Sequence, residues 1–92
     1  MDVAKWAETK TILTRLDEVL AKPGTLADLT EGERQALSRN ENTLRRDASA
    51  FRAADLVDSA LAKWDNFGLT GRGDIEKAAA MLRADLALME AA

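Results

Sequence analysis

Between Leu37 and Trp64 the apolar residues change sides, and that shift limits the folds open to this chain more than any other feature. On one continuous helix with Arg34 at 0°, Leu37, Leu44, Ala48 and Phe51 cluster near about 290°, while Val57, Ala60, Leu61 and Trp64 cluster near about 130°. Asp55 and Asp58 fall on the side that the earlier apolar residues occupy. No straight helix buries both stripes against one surface. Two arrangements remain. Either the chain breaks between about Arg39 and Ala50, or one long kinked helix packs on different neighbours at its two ends. The break is the expected arrangement, because Asn40 and Asn42 are weak helix formers and Ser38, Glu41 and Asn42 offer capping groups there.

The flanking segments read as helices too. Trp6, Leu13 and Leu20 recur every seven residues, with Ile12, Leu16 and Val19 alongside, in a stripe about 140° wide. The Pro23-Gly24 turn signal closes this first helix. Thr30 followed by Glu33 has the spacing of a capping box and starts a second helix near Glu31. Gly68 is expected to act as a left-handed C-cap with Leu69 folding back, and Asp74 as the N-cap of a last helix. That helix carries Ile75, Ala79, Leu82, Leu86 and Met89 on one stripe and Met81 and Leu88 on a second side, which predicts burial from two directions. No segment alternates like a strand. The expectation is an all-α fold, a single domain over residues 1–92. It is a small bundle of three to four helices at about 3–22, 31–40, 43–67 and 75–91, the middle two either separate or one kinked helix.

Composition bounds the function. The chain is 47% hydrophobic but only 4% aromatic, so thirteen leucines, two tryptophans and two phenylalanines must supply most of the buried area. At 92 residues such a core is thin, which favours a protein partner or a homo-oligomer, and the Trp6–Leu13–Leu20 repeat is the first candidate seam for self-association. The absence of cysteine and histidine removes disulfides, thiolate metal sites, the commonest metal ligand and the usual proton shuttle. No cofactor is expected. No apolar run approaches the roughly 18 residues of a membrane span, and the opening MDVAKWAETK lacks the order of a signal peptide, so a cytoplasmic location is expected.

Charge is distributed acid, base, acid. Residues 1–33 carry four basic and seven acidic groups, residues 34–52 carry five arginines against Glu41 and Asp47, and residues 53–92 again carry four basic and seven acidic groups. The arginines fall in two stripes on a continuous helix, Arg34, Arg45 and Arg52 on one and Arg39 and Arg46 on the other. An isoelectric point near 4.9 is far from the basic footprint of a nucleic-acid binder, above about 9. Nucleic acid is therefore the disfavoured partner for these arginines, ion pairing within the chain is the plain reading, and an acidic protein partner lies between. Phe51, whose neighbours shift to the opposite face within one turn, stands beside Arg45, Arg46 and Arg52 as the expected contact centre.

Other patterns carry less chemistry. Asp55, Asp58 and Asp65 share one helix face opposite Val57, Leu61 and Trp64, which fits a solvated face better than a Mg²⁺ or acid–base site; such a face could also imitate nucleic acid. Gly71 and Gly73 precede a helix without a strand before them, and Asp74 would repel phosphate. Arg72-Gly73-Asp74 spells an integrin-recognition tripeptide but reads as an exposed turn and a cap. Ser38, Ser49 and Ser59 have no histidine base, and Lys63 has no evident apolar pocket, so catalysis has no nucleophile–base pair to rest on. The expected function is non-catalytic binding, as a regulator, inhibitor or assembly subunit. In size and acidity the chain resembles small phage inhibitors and assembly factors, a resemblance that implies the same class of role.

Overall fold

The computed structural model describes residues 2–47, 49–67 and 71–91, with the side chains of residues 27 and 65–67 outside that description. It contains four helices, α1 (Val3–Ala21), α2 (Glu31–Arg45), α3 (Phe51–Phe67) and α4 (Arg72–Ala91), and no strand among the described residues. Helix α1 starts at an Asp2 cap, whose carboxylate accepts the Lys5 amide at 3.1 Å. Helix α2 starts at the expected capping box: Thr30 Oγ1 accepts the Glu33 amide, and the Glu33 carboxylate accepts the Thr30 amide at 3.1 Å. Between them Gly24 takes φ +93°, Asp28 Oδ2 accepts the Thr25 amide, and a 3-10 turn (Leu26–Asp28) follows. This turn drives Leu26 and Leu29 into the core, a plug that helix periodicity does not predict.

The apolar phase shift is resolved by a complete break. Helix α2 ends at Arg45 and α3 begins at Phe51, so the boundary falls at residues 46–50, inside the expected window from Arg39 to Ala50 but later than the gap at 41–42 that the expected helix bounds implied. Asn40 and Asn42 stay helical because Glu41 and Arg45 form an i,i+4 pair across the weak stretch. The turn belongs instead to Asp47, whose Oδ1 accepts both the amide and the hydroxyl of Ser49. Folding α3 back on α2 lets Leu37 and Leu44 meet Val57 and Leu61 inside one core. The predicted Gly68–Leu69 cap lies outside the described residues. The last helix begins at Arg72, since the Gly71 carbonyl accepts the Ile75 amide at 3.0 Å. Asp74 is therefore a first-turn residue and not the predicted cap.

Helix α3 packs on both α2 and α4, and α1 packs on α4, while α1 and α2 barely meet. All three packed pairs are antiparallel. Arg45–Asp55 and the Arg34–Trp64 stack tie opposite ends of α2 and α3. Ser59–Asp74 ties α3 to α4, and Trp6–Glu90, Asp17–Arg83 and Leu20–Arg72 run the length of α1 against α4. Alanines at 53, 54, 60, 78 and 79 are buried in this core, so small side chains serve close helix approach. Leu16, Leu37, Val57, Ile75 and Leu82 fill the space, each worth about 1.5–3 kcal/mol of transfer free energy. The Trp6–Leu13–Leu20 repeat faces this same core: Leu13 is buried, and Trp6 and Leu20 pack against the cluster. It serves the monomer and is not a free seam for self-association.

Candidate functional site

The corner where α2 turns into α3 is anchored from the far end of α1. Lys5 Nζ lies 2.9 Å from Asp47 Oδ2 and donates to Ser49 Oγ at 3.2 Å. The Lys5 ammonium and the Ser49 donors hold the Asp47 carboxyl below the usual range, and Asp47 in turn raises the Lys5 pKa. Asp85 of α4 faces the same pair; burial raises its pKa, Lys5 opposes the rise and Asp47 adds to it. The first turn of α3 carries no acidic residue, and Ala50 ahead of it has no side-chain acceptor. The positive end of that helix is left without a neutralising group of its own.

The five arginines divide into two kinds. Arg34 lies over the Trp64 ring at 5.1 Å and pairs with Glu31. Arg45 reaches Glu41 at 3.1 Å and Asp55 at 2.8 Å, and both carboxylates raise its pKa. It is a clamp between α2 and α3 more than an open contact. Arg39, Arg46 and Arg52 are exposed and make no ion pair among the described residues. Arg46 and Arg52 flank the corner, with Phe51 at 50% exposure between them in sequence. Arg39 stands apart on a polar groove of about 330 Å³ between α1 and α2, lined also by Thr11, Thr14 and Asn40. The Nδ2 of Asn40 is buried there without an acceptor among the described residues.

The predicted contact centre is thus partly dispersed. Phe51 shares a side of α3 with Asp55, four residues on, and so with the α2 clamp. Arg52 lies about 100° around the helix and lines a groove of about 230 Å³ with Ser49, Ala53, Met81, Ala84 and Asp85. Of the acidic face, Asp55 is neutralised by Arg45, Asp58 is exposed beside Arg34 and Glu41 along the α2–α3 groove, and the side chain of Asp65 lies outside the described residues.

Other candidates prove to be internal struts. Asp74 Oδ2 accepts from Lys63 Nζ at 2.8 Å and from Ser59 Oγ at 3.0 Å, and the Lys63 ammonium holds its carboxyl below the usual range. A depressed carboxylate engaged by lysine is a poor base for the serine, so the trio joins α3 to α4 rather than activating a nucleophile. Arg72 donates to the carbonyls of Leu20 and Lys22, satisfying the open end of α1. Arg72 and Asp74 therefore face inward on the first turn of α4, and the Arg-Gly-Asp tripeptide is not an exposed turn. Among the described residues no three His, Cys, Asp or Glu side chains converge to hold a metal, and no helix is long and apolar enough to cross a membrane. Sequence reasoning took Met81 and Leu88 as a second buried side of α4; they are instead 37% and 72% exposed.

The class these features define is a small all-α bundle with solvent-facing arginines and apolar residues at its helix ends and outer faces. Compared with known proteins, the chain matches no family model, no curated protein and no solved structure.

Proposed function

We propose that this chain is a non-catalytic binding protein, a regulator, inhibitor or assembly subunit, that docks an acidic protein partner at the α2–α3 corner. The observation that carries this reading is a half-exposed Phe51 at the start of α3, set in sequence between Arg46 and Arg52, which with Arg39 are the arginines that form no ion pair among the described residues. An exposed aromatic residue at a corner whose two flanks carry guanidinium groups free of ion pairs among the described residues has the composition of an interface hot spot, and a partner wrapping the corner would bring carboxylates to the arginines and the positive helix end. Lys5, Asp47 and Ser49 hold the corner in shape before binding, which lowers the ordering cost. Arg45 supports the surface from behind through Asp55.

Neutralisation of Asp55 leaves the acidic face short of the charge that imitation of nucleic acid would need. The test is affinity capture with the wild-type chain and with an Arg46→Ser, Phe51→Ser, Arg52→Ser variant whose far-UV circular dichroism matches it. The variant is expected to lose the captured protein. Retention of the same protein by the variant sinks the reading. Salt-labile nucleic acid in the wild-type eluate would instead assign the arginines to phosphate contacts.

A further inference from the structure

Helix α4 has two faces of opposite character. Ile75, Ala78, Ala79, Leu82 and Leu86 are buried in the core. On the far side Ala80, Met81, Ala84, Ala87, Leu88 and Ala91 are all exposed, and the only charged group among them is Lys77. The neighbouring charges turn away: Arg83 pairs with Asp17 and Glu90 accepts from Trp6, both toward α1. In a chain with 32% charged residues, this leaves a mostly apolar helical strip about 20 Å long facing solvent, with Lys77 as its one central charge and Arg52 and Asp85 on the groove along its Met81–Ala84 edge. Leu88, at 72% exposure, is the most exposed large apolar side chain of the strip.

We infer that a second copy of this chain docks on this face, with the two α4 helices antiparallel about a two-fold axis. Lys77, Met81, Ala84, Leu88 and Ala91 are spaced 4, 3, 4 and 3, the spacing of a coiled-coil seam. With the axis level with residues 82 and 83, Met81 stands opposite Ala84 of the second copy, and Leu88 opposite the methylene stem of its Lys77. Each large side chain meets a small or flexible one, and the pattern is its own complement, as a two-fold interface requires. The Lys77 ammonium then reaches the last turn of the other α4, where the free carbonyls concentrate negative potential. A parallel arrangement would set two Lys77 side chains side by side.

The strip offers about 200 Å² from each copy, taking it as roughly 20 Å by 10 Å, well under the 800 Å² per partner of a standard stable interface. The dimer is accordingly weak and forms only at high protein concentration.

Sedimentation velocity of the full chain from about 5 μM to about 1 mM, a span wide enough to reveal a weak dimer, tests this directly. The wild type is expected to shift from monomer to dimer across that range. Leu88→Glu and Ala84→Glu, each at an exposed position, should raise the dissociation constant at least tenfold, with circular dichroism unchanged. Lys77→Glu should raise it about fivefold by placing a carboxylate against the negative helix end. An Arg46→Ser, Phe51→Ser variant, which spares the Arg52 that lines the α3–α4 groove, should dimerise like the wild type, which separates this surface from the corner. A wild type that stays monomeric throughout overturns the inference, as does a dimer indifferent to Leu88→Glu and Ala84→Glu. A dimer that loses affinity with those two variants but ignores Lys77→Glu overturns the antiparallel pairing.

Discussion

Gly71→Ala isolates the contact that locks the α1–α2 connection onto the rest of the bundle. Gly71 is buried at φ +151°, a conformation L residues rarely adopt. A Cβ built there would lie 2.7 Å from Leu26 Cδ1, 3.0 Å from the Ala60 carbonyl oxygen and 3.1 Å from Ala60 Cα. Leu26 is itself 2% exposed and has little room to rotate away, and the Ala60 atoms are backbone in the middle of α3. Backbone strain costs about 1–3 kcal/mol. Overpacking adds about 1–3 kcal/mol more. Against a total stability of about 5–14 kcal/mol for a domain of this length, a loss of roughly 2–6 kcal/mol should lower the melting temperature by at least about 8 °C. Gly73→Ala is the matched control, because nothing lies within 4 Å of its Cβ position and alanine favours the helix that Gly73 already occupies. Thermal and urea melts followed by far-UV circular dichroism should show Gly71→Ala falling and Gly73→Ala unchanged or rising. A Gly71→Ala melting temperature within about 2 °C of wild type would refute the packing argument, given the 4–8 °C expected per kcal/mol.

Two further outcomes concern charge and burial. Glu33 is pulled down to about 2 by Lys22 and the Thr30 amide, and Asp47 and Asp74 are likewise depressed by their lysine and serine donors. Unfolded carboxylates titrate near about 4, so between about pH 4 and 2 the unfolded chain binds more protons than the folded one, and the stability from these groups is lost as pH falls through that window. Asp85, raised by burial, acts in the opposite sense. Melting temperatures measured from pH 7 to 2 should hold to about pH 5 and then decline, and Asp74→Asn should be less stable at neutral pH with a shallower acid limb; a flat profile down to pH 2 would contradict the pairing. Asn40→Ala removes a buried donor without an acceptor and should leave stability unchanged or raise it by up to about 1 kcal/mol, measured by urea titration. A clear loss would show that Nδ2 has a partner of its own.

How far the amino-acid sequence reveals this molecule depends on the distance over which each decision is made. The end of α1 at Pro23-Gly24, the Thr30–Glu33 box and the two apolar stripes of α2 and α3 are local, and all were legible. The phase shift required a break, yet its position depended on Asp47, which is held by Lys5 from the start of α1. The asparagines pointed to a nearer site that the Glu41–Arg45 pair overrides. Asp74 looked like a cap until α3 supplied Lys63 and Ser59. The arginines follow the same rule. Nothing local distinguishes Arg45 from Arg46, and only the fold of α3 against α2 gives Asp55 to one and leaves the other open. The exposure of Phe51 could be foreseen because it lies where the stripe changes sides. The second side of α4 could not, since its amphipathic pattern is the same whether the covering helix belongs to this chain or to another copy. With α1 and α3 already committed to the buried side, no other helix among the described residues covers the strip of Met81, Ala84 and Leu88. The sequence pattern of α4 thus marks both of its apolar sides, but only the fold shows that α1 and α3 enclose one of them and that the other faces solvent among the described residues.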